Sequence, residues 1–351
     1  MRRLCAAVLA ACALTGCSAQ LREPYRRQAD DLALLRVVGV DATDEGVELT
    51  VAADGVDGGP GEVLSAQSAT LAGAMYATRS QGERYVFYGH VDRLLLGEEL
   101  TGQGIGSVLD CLARDRELGP DCRLWVVLGR AAQAVETVSG LSRHLEQLER
   151  GLNVPSAGDA MGVLAREGSL WLPALAVAEQ GGQAFVQPAG YAVIRNGLLV
   201  GCTDPEGSQG LELFTGAARG RVVELTVPGV GVVSLSLERM QVDCRPCFDG
   251  DALVGLEVVG HLTARVVQSP VSLRPEEVEW LVYELEGQQG KCLARVLEQA
   301  QDWDADFLGL EHRARQATPS RAVEISRQWP QVFRDLDICV SARGTVERPS
   351  A

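Results

Sequence analysis

The order of apolar and polar positions divides the chain into strand-like and helix-like stretches that alternate along most of its length. Residues 34–41 and 47–53 are apolar runs on either side of Thr43-Asp44-Glu45-Gly46, a turn chemistry that predicts a hairpin. Residues 54–61, rich in Gly and containing Pro60, read as a loop, and the Ala-rich stretch 65–78 as a helix. Residues 85–88 and 94–96 read as strand passing towards helix. Ile105, Val108, Leu109 and Leu112 then fall at i, i+3, i+4 and i+7, one face of a helix. Residues 123–128 form a buried-looking strand, and a helix is expected from Ala131.

Residues 142–167 predict two short helices separated by Asn153-Val154-Pro155. Strands are expected at 170–177 and 190–202, the second folded at Asn196-Gly197, the strongest short hairpin signal in the chain. Residues 205–214 suit a helix packed on that hairpin. From Val222 the pattern changes: Val233, Leu235 and Leu237 alternate with Ser234, Ser236 and Glu238, a half-buried strand. Asp249-Gly250 turns the chain into a second long strand, 253–267, and the alternation slips near Arg239 and near Gly260, where bulges are expected. Pro275-Glu276-Glu277 opens a helix with acidic residues suited to its N-terminus, its apolar face carrying Val278, Leu281, Val282 and Leu285. A last helix, 321–329, leads into a strand at 336–342.

The fold class expected from this order is α+β, mixed α/β, with three domains, each a mostly antiparallel or mixed sheet packed with helices. Their expected bounds are 32–140, 141–220 (with the Asn-Gly hairpin) and 221–351.

The first thirty residues belong to none of these domains. Arg2 and Arg3 precede an apolar stretch, 4–13, and Leu14-Thr15-Gly16-Cys17 follows. An apolar run of about ten residues is half of what a membrane helix needs, and its pattern is that of a signal peptide, 1–16. The last four residues resemble the lipobox of bacterial lipoproteins. Small side chains admit a peptidase to the backbone, and the Cys17 thiol is the nucleophile that takes a diacylglyceryl thioether. Cys17 is therefore the expected lipid attachment site, and 17–31 the lipidated tether. Two acyl chains anchor stably where one is marginal, at about 0.8 kcal/mol per buried methylene.

Charge narrows the partners. The formal net charge is -15, with 32 basic and 47 acidic groups in 351 residues, and Lys291 is the only lysine. A body this acidic is repelled by nucleic acid and by anionic headgroups, so no nucleic-acid role is expected.

Candidate chemistry is sparse. The four histidines, His90, His144, His261 and His312, lie far apart and show no metal-ligand spacing. Gly102-Gln103-Gly104-Ile105-Gly106 follows a helix-like segment and lacks the spacing of a phosphate loop, so it reads as a helix-to-helix connection. Cys244-Arg245-Pro246-Cys247 is the sharpest local motif. A redox pair of this spacing opens a helix; here it ends a strand, which favours a structural turn, with or without a local disulfide. Cys111, Cys122, Cys202, Cys244, Cys247, Cys292 and Cys339 are an odd number beyond Cys17. No nucleophile, base and oxyanion donor assemble, and neither an enzyme nor a cofactor or metal is expected.

Several segments together resemble the C-subunit lipoproteins of spore germinant receptors, the Ger(x)C family. Asp30-Asp31-Leu32-Ala33 and Val38-Gly39-Val40-Asp41 match its opening. The stretch Phe87-Tyr88-Gly89-His90-Val91-Asp92-Arg93-Leu94-Leu95-Leu96-Gly97-Glu98-Glu99-Leu100 is similar to its most recognisable part, continued by Arg114-Asp115 and Glu117-Leu118. Ile194 to Gly201 resembles its middle hairpin; Asp306-Phe307-Leu308-Gly309, Trp329 and Val332-Phe333 resemble its C-terminal pattern. The departures are Trp303-Asp304-Ala305 before Asp306, Ala264-Arg265 where the family tends to be acidic, and the Cys244/Cys247 pair.

The resemblance implies a non-enzymatic subunit with three mixed α/β domains on the outer face of the spore inner membrane. It would work with two integral-membrane subunits, A-type and B-type, in germination triggered by small nutrients. A partner contact is expected on the stretch from Tyr88 to Leu100, with Tyr88, Arg93, Glu98 and Glu99 as candidate side chains. The competing view is that the Leu and Gly residues there serve the fold. The alternatives of other classes are a solute-binding lipoprotein of a transporter and an extracytoplasmic thiol-disulfide protein using Cys244 and Cys247.

Overall fold

The computed structural model describes residues 32–52, 62–81 and 84–347; the expected signal peptide, tether and Cys17 lie outside them. In chain order the first strands are β1 (Leu32–Leu34), β2 (Val37–Thr43), β3 (Gly46–Ala52), β4 (Val63–Ser68), β5 (Tyr85–Phe87), β6 (Arg93–Gly97) and β7 (Arg123–Val127). They are followed by β8 (Ser169–Gln180), β9 (Gln183–Arg195) and β10 (Leu198–Cys202). Strands β2 to β4 and β6 to β10 form one eight-stranded sheet in the order β10-β9-β8-β7-β6-β2-β3-β4, while β1 and β5 pair as a small parallel ribbon. At the centre β8, β7, β6 and β2 run parallel, and both flanks are antiparallel hairpins. This sheet is continuous across residues 140 and 141, so the segments 32–140 and 141–220 share one backbone ladder.

Strand β6 is buried along its whole length. That is the burial of a central parallel strand covered on both faces, and it explains the unbroken Leu94-Leu95-Leu96 run. One face carries Val38, Val40, Leu94, Leu96, Leu124 and Val126 against helices α1 (Leu71–Thr78), α3 (Gly106–Arg114) and α6 (Ala157–Glu167). Ile105, Val108, Leu109 and Leu112 are all in that core, as their spacing predicts. The short α2 (Glu98–Gln103) precedes α3, and Gly104 with Ile105 joins the two, the expected helix-to-helix connection. The other face carries Val37, Leu95, Trp125 and Val127 against α4 (Ala131–Thr137) and α5 (Leu141–Glu149).

The second sheet has the order β11-β12-β13-β14, with β11 (Val222–Val227), β12 (Gly231–Asp249), β13 (Ala252–Gln268) and β14 (Asp337–Glu347). Its core also receives α7 (Pro205–Thr215), α8 (Pro275–Asp302), α9 (Leu310–Ala317) and α10 (Ala322–Val332). The architecture is α+β with mixed sheets, the expected class.

Four local expectations are corrected. Residues 63–68 are strand β4, and the helix begins only at Leu71, where the Thr70 hydroxyl accepts from the Gly73 amide at 3.1 Å. Alanine content favoured helix there, but pairing along β3 prevails over propensity. Gly181 and Gly182, both at positive φ, make a second hairpin between β8 and β9. The bulges of the β12–β13 ladder fall near Ser234, near Arg239 and near Phe248, and the pairing passes Gly260 without a shift. There a Cβ would come closer than 3.0 Å to Leu293, so Gly260 admits a helix side chain and breaks only the apolar alternation. Finally, Cys244 to Cys247 is not a turn but lies inside β12.

Candidate functional site

The four parallel strands place the ends of β2 and β6 side by side, and the residues that resemble the family's motifs meet there. Asp41, 4% exposed, points its carboxylate at the start of α4. Oδ1 accepts from the Ala131 amide at 2.7 Å and Oδ2 from the Ala132 amide at 2.8 Å. These are two of the unsatisfied donors at a helix N-terminus. Burial holds the Asp41 pKa above the usual carboxylate value, against the opposing pull of the Ala132 and Ala131 amides and of Arg130.

The glycines around Asp41 are there for space. At Gly97 a Cβ would overlap Asp41 Oδ1, and at Gly39 it would press on Val135 and on the Ala131 backbone. Glu98 closes the same corner: its amide donates to the Gly129 carbonyl and its carboxylate accepts from the Gly129 amide, both at 2.9 Å. In open α/β sheets ligands bind outside the carboxyl ends of parallel strands, and helix N-termini there receive anions. In this chain Asp41 already occupies the start of α4.

Arg93 lies at the opposite end of β6, beneath α5. Its Nε and Nη2 donate to the two Glu149 carboxylate oxygens at 2.7 and 2.8 Å, and Nη1 donates to Asp92 at 2.7 Å. The Arg93 and Glu149 side chains are 5% and 6% exposed. Arg123 also pairs with Glu149 from the neighbouring strand. Burial acts to lower the Arg93 pKa, but the Glu149 and Asp92 carboxylates more than offset it, so the guanidinium stays charged.

Tyr88 is wholly buried, its hydroxyl bonded to Thr78 on α1. Burial pushes its pKa to about 12. The four candidate contact residues thus divide. Tyr88 and Arg93 are buried on opposite faces of the sheet, and each is bonded inside the fold. Glu98 and Glu99 are exposed at the start of α2. Asp41 and Glu149 were missed from sequence. The signal for Asp41 was available: a carboxylate closing a buried strand demands internal donors.

A cleft of about 640 Å³ opens where β8 and β9 meet α7, lined by Trp125, Leu152, Pro173, Tyr191, Glu212 and Arg221. The Tyr191 hydroxyl donates to Glu212 Oε1 at 3.0 Å, and Arg221 pairs with the other oxygen. Desolvation pulls the Arg221 pKa below its ordinary value.

The thiols do not form a redox pair. Cys244 and Cys247, three apart on one strand, project to opposite faces; Cys244 is buried and Cys247 exposed, and both are free. Burial raises the Cys244 pKa to about 12, the reverse of an activated thiol. No disulfide joins them, and the thiol-disulfide reading loses its chemistry. Among the described residues no group of His, Cys, Asp and Glu is arranged to hold a metal ion, and no helix is long and apolar enough to cross a membrane.

Comparison with known proteins adds the following. Residues 25–152 match the family model described as spore germination protein N-terminal domain, and residues 189–350 match spore germination B3/GerAC like, C-terminal. Among solved structures, one titled crystal structure of the GerBC protein superposes with a TM-score of 0.62 at 16% identity, covering 89% of this chain and 97% of that one. A comparison with curated proteins gives no match.

Proposed function

Since the chain belongs to the GerAC-like spore germination proteins, matched in both its N-terminal and C-terminal parts, we propose that it is the lipid-anchored C subunit of a nutrient germinant receptor. It is held at the outer face of the spore inner membrane through Cys17 and acts by contact with the A-type and B-type integral-membrane subunits, without chemistry of its own. The observation that carries the non-enzymatic reading is the corner at Asp41. The position where an α/β enzyme receives an anionic ligand is filled by the protein's own carboxylate, bonded to the Ala131 and Ala132 amides. The residues of the Tyr88 to Leu100 stretch then serve as joints between strands and helices. Anchoring by two acyl chains confines the body to a plane and raises its effective concentration beside membrane partners.

The test is Cys17→Ala in the producing organism. The variant is expected in the soluble fraction, without incorporated palmitate, in spores that fail to respond to nutrients. Normal germination by spores whose variant protein is wholly soluble would refute the anchoring role.

The cleft beside Tyr191 supports a second reading, a solute-binding lipoprotein of a transporter. Its size suits a small ligand. Calorimetry with amino acids and sugars separates the two: heat of binding that vanishes in Tyr191→Ala would favour the transporter role.

A further inference from the structure

On the face of the second sheet turned away from α8, the strand register places Arg239 beside Thr263 and Thr345, and Gln241 beside His261 and Arg343. Arg219, from the loop after α7, comes up to the same place, and these groups line a groove of about 520 Å³. Arg219, Arg239 and Arg343 are exposed, and none of the three has a carboxylate partner among the described residues. Two acidic groups are close, and both are engaged: Glu238 accepts from Arg265 at 3.2 Å, and Asp243 accepts from Gln241 at 2.8 Å and lies 3.4 Å from His261 Nε2.

Single exposed arginines without a carboxylate partner among the described residues occur elsewhere, Arg143, Arg150 and Arg166 among them, but here three line one groove. In a chain with a net charge of -15, carboxylates outnumber arginines, and Arg36, Arg79, Arg93, Arg123, Arg130 and Arg295 all find one. A concave surface bearing three uncompensated guanidinium groups focuses positive potential against that background. Guanidinium forks match the oxygens of a phosphate bidentately. The Thr263 hydroxyl adds a neutral donor on the floor of the groove, and the volume admits an organic group as well as the anion.

We propose that this groove is a binding site for a phosphate ester, gripped by Arg219, Arg239 and Arg343. The same chemistry is offered by a phospholipid headgroup and by a soluble phosphate ester. The site owes nothing to the membrane-anchor reading and stands without it.

The full chain carrying Cys17→Ala, so that acyl chains do not contribute, is titrated with inorganic phosphate and glycerol phosphate. It is also floated with vesicles of phosphatidylglycerol in phosphatidylcholine, or of phosphatidylcholine alone. The comparison protein adds Arg239→Gln and Arg343→Gln; both side chains are solvent-facing, and an unchanged urea midpoint verifies the fold. The expected result is salt-sensitive binding, weakened about tenfold for each arginine removed. Binding confined to phosphatidylglycerol vesicles assigns the site to a headgroup, and binding of glycerol phosphate in solution assigns it to a soluble ester. The proposal is overturned if no phosphate probe binds, if the variant binds as well as its parent, or if an acidic peptide displaces every phosphate probe.

Discussion

Replacing Arg93 by Met tests whether this stretch is built for the interior. The Arg93 and Glu149 side chains are 5% and 6% exposed and joined by two parallel hydrogen bonds at 2.7 and 2.8 Å. Removing one member of a buried pair leaves the other charged and desolvated, at a cost of about 3–5 kcal/mol. Arg123 also pairs with Glu149 and is 48% exposed, so water and a second cation remain within reach of the stranded carboxylate. That places Arg93→Met near the low end, about 3 kcal/mol. The double variant Arg93→Met, Glu149→Leu removes both charges, and is expected within about 1 kcal/mol of the parent, because apolar replacements of a buried pair are often neutral. Urea unfolding followed by circular dichroism and by tryptophan fluorescence gives the values where the two probes coincide. A cost below about 1 kcal/mol for the single variant, or a double variant as unstable as the two singles summed, would refute the claim that Arg93 is an interior group held by Glu149.

Three further outcomes follow from the same geometry. Gly97→Ala sets a methyl group against the Asp41 carboxylate and should cost about 1–3 kcal/mol by overpacking, with faster hydrogen exchange at the Ala131 and Ala132 amides; unchanged exchange there would contradict the assigned bonds. Asp306, whose oxygens accept from the Leu310 and Glu311 amides, has its pKa raised by burial from 3.8 to about 6. Between those values the folded state keeps a proton that the unfolded state has released, so this group's contribution to stability falls as pH rises through the window and is level above it; Asp306→Asn should flatten that part of the stability curve relative to the parent. Alkylation of the native protein should modify the exposed Cys247 and Cys339 and spare Cys122, Cys244 and Cys292 until urea is added, whereas early loss of Cys244 would place that strand outside the core.

Much of the element order was legible because the core positions obey one period at a time. The helix face from Ile105 to Leu112 and the hairpin at Asn196-Gly197 are both where the pattern puts them. What escaped was set by partners distant in sequence. Alanines at 66 and 69 looked helical, yet β3 supplies the hydrogen bonds that make residues 63–68 a strand. Residues 183–189 show little apolar alternation and are strand because β8 pairs with them across Gly181-Gly182. The same holds for the site. Tyr88 and Arg93 are polar groups in a recognisable motif, and sequence alone offers them to a partner; only the fold brings Thr78 to the one and Glu149 to the other.

How the body answers a partner depends on α8, whose 28 residues span about 42 Å at 1.5 Å each. Near its middle Glu286 accepts from the Gly344 amide of β14 at 2.7 Å. Further along, Leu293 lies over Gly260 of β13, and Cys292 and Val296 lie where a Cβ on Gly210 of α7 would have to be. Arg295 bonds Asp204, the N-cap of α7, at 2.6 Å, and just past the helix end Trp303 packs on Gly201 of β10. One helix therefore grips β13 and the edge strand β14 of the second sheet and the hairpin edge of the first through backbone-close contacts. Sliding it would drive side chains into Gly260, Gly210 and Gly201 together. Packed contacts of this kind are bistable and resist gradual deformation. These contacts tie the second sheet to the eight-stranded sheet through one helix. Under the role proposed above, signalling would take that form, the body moving as a unit.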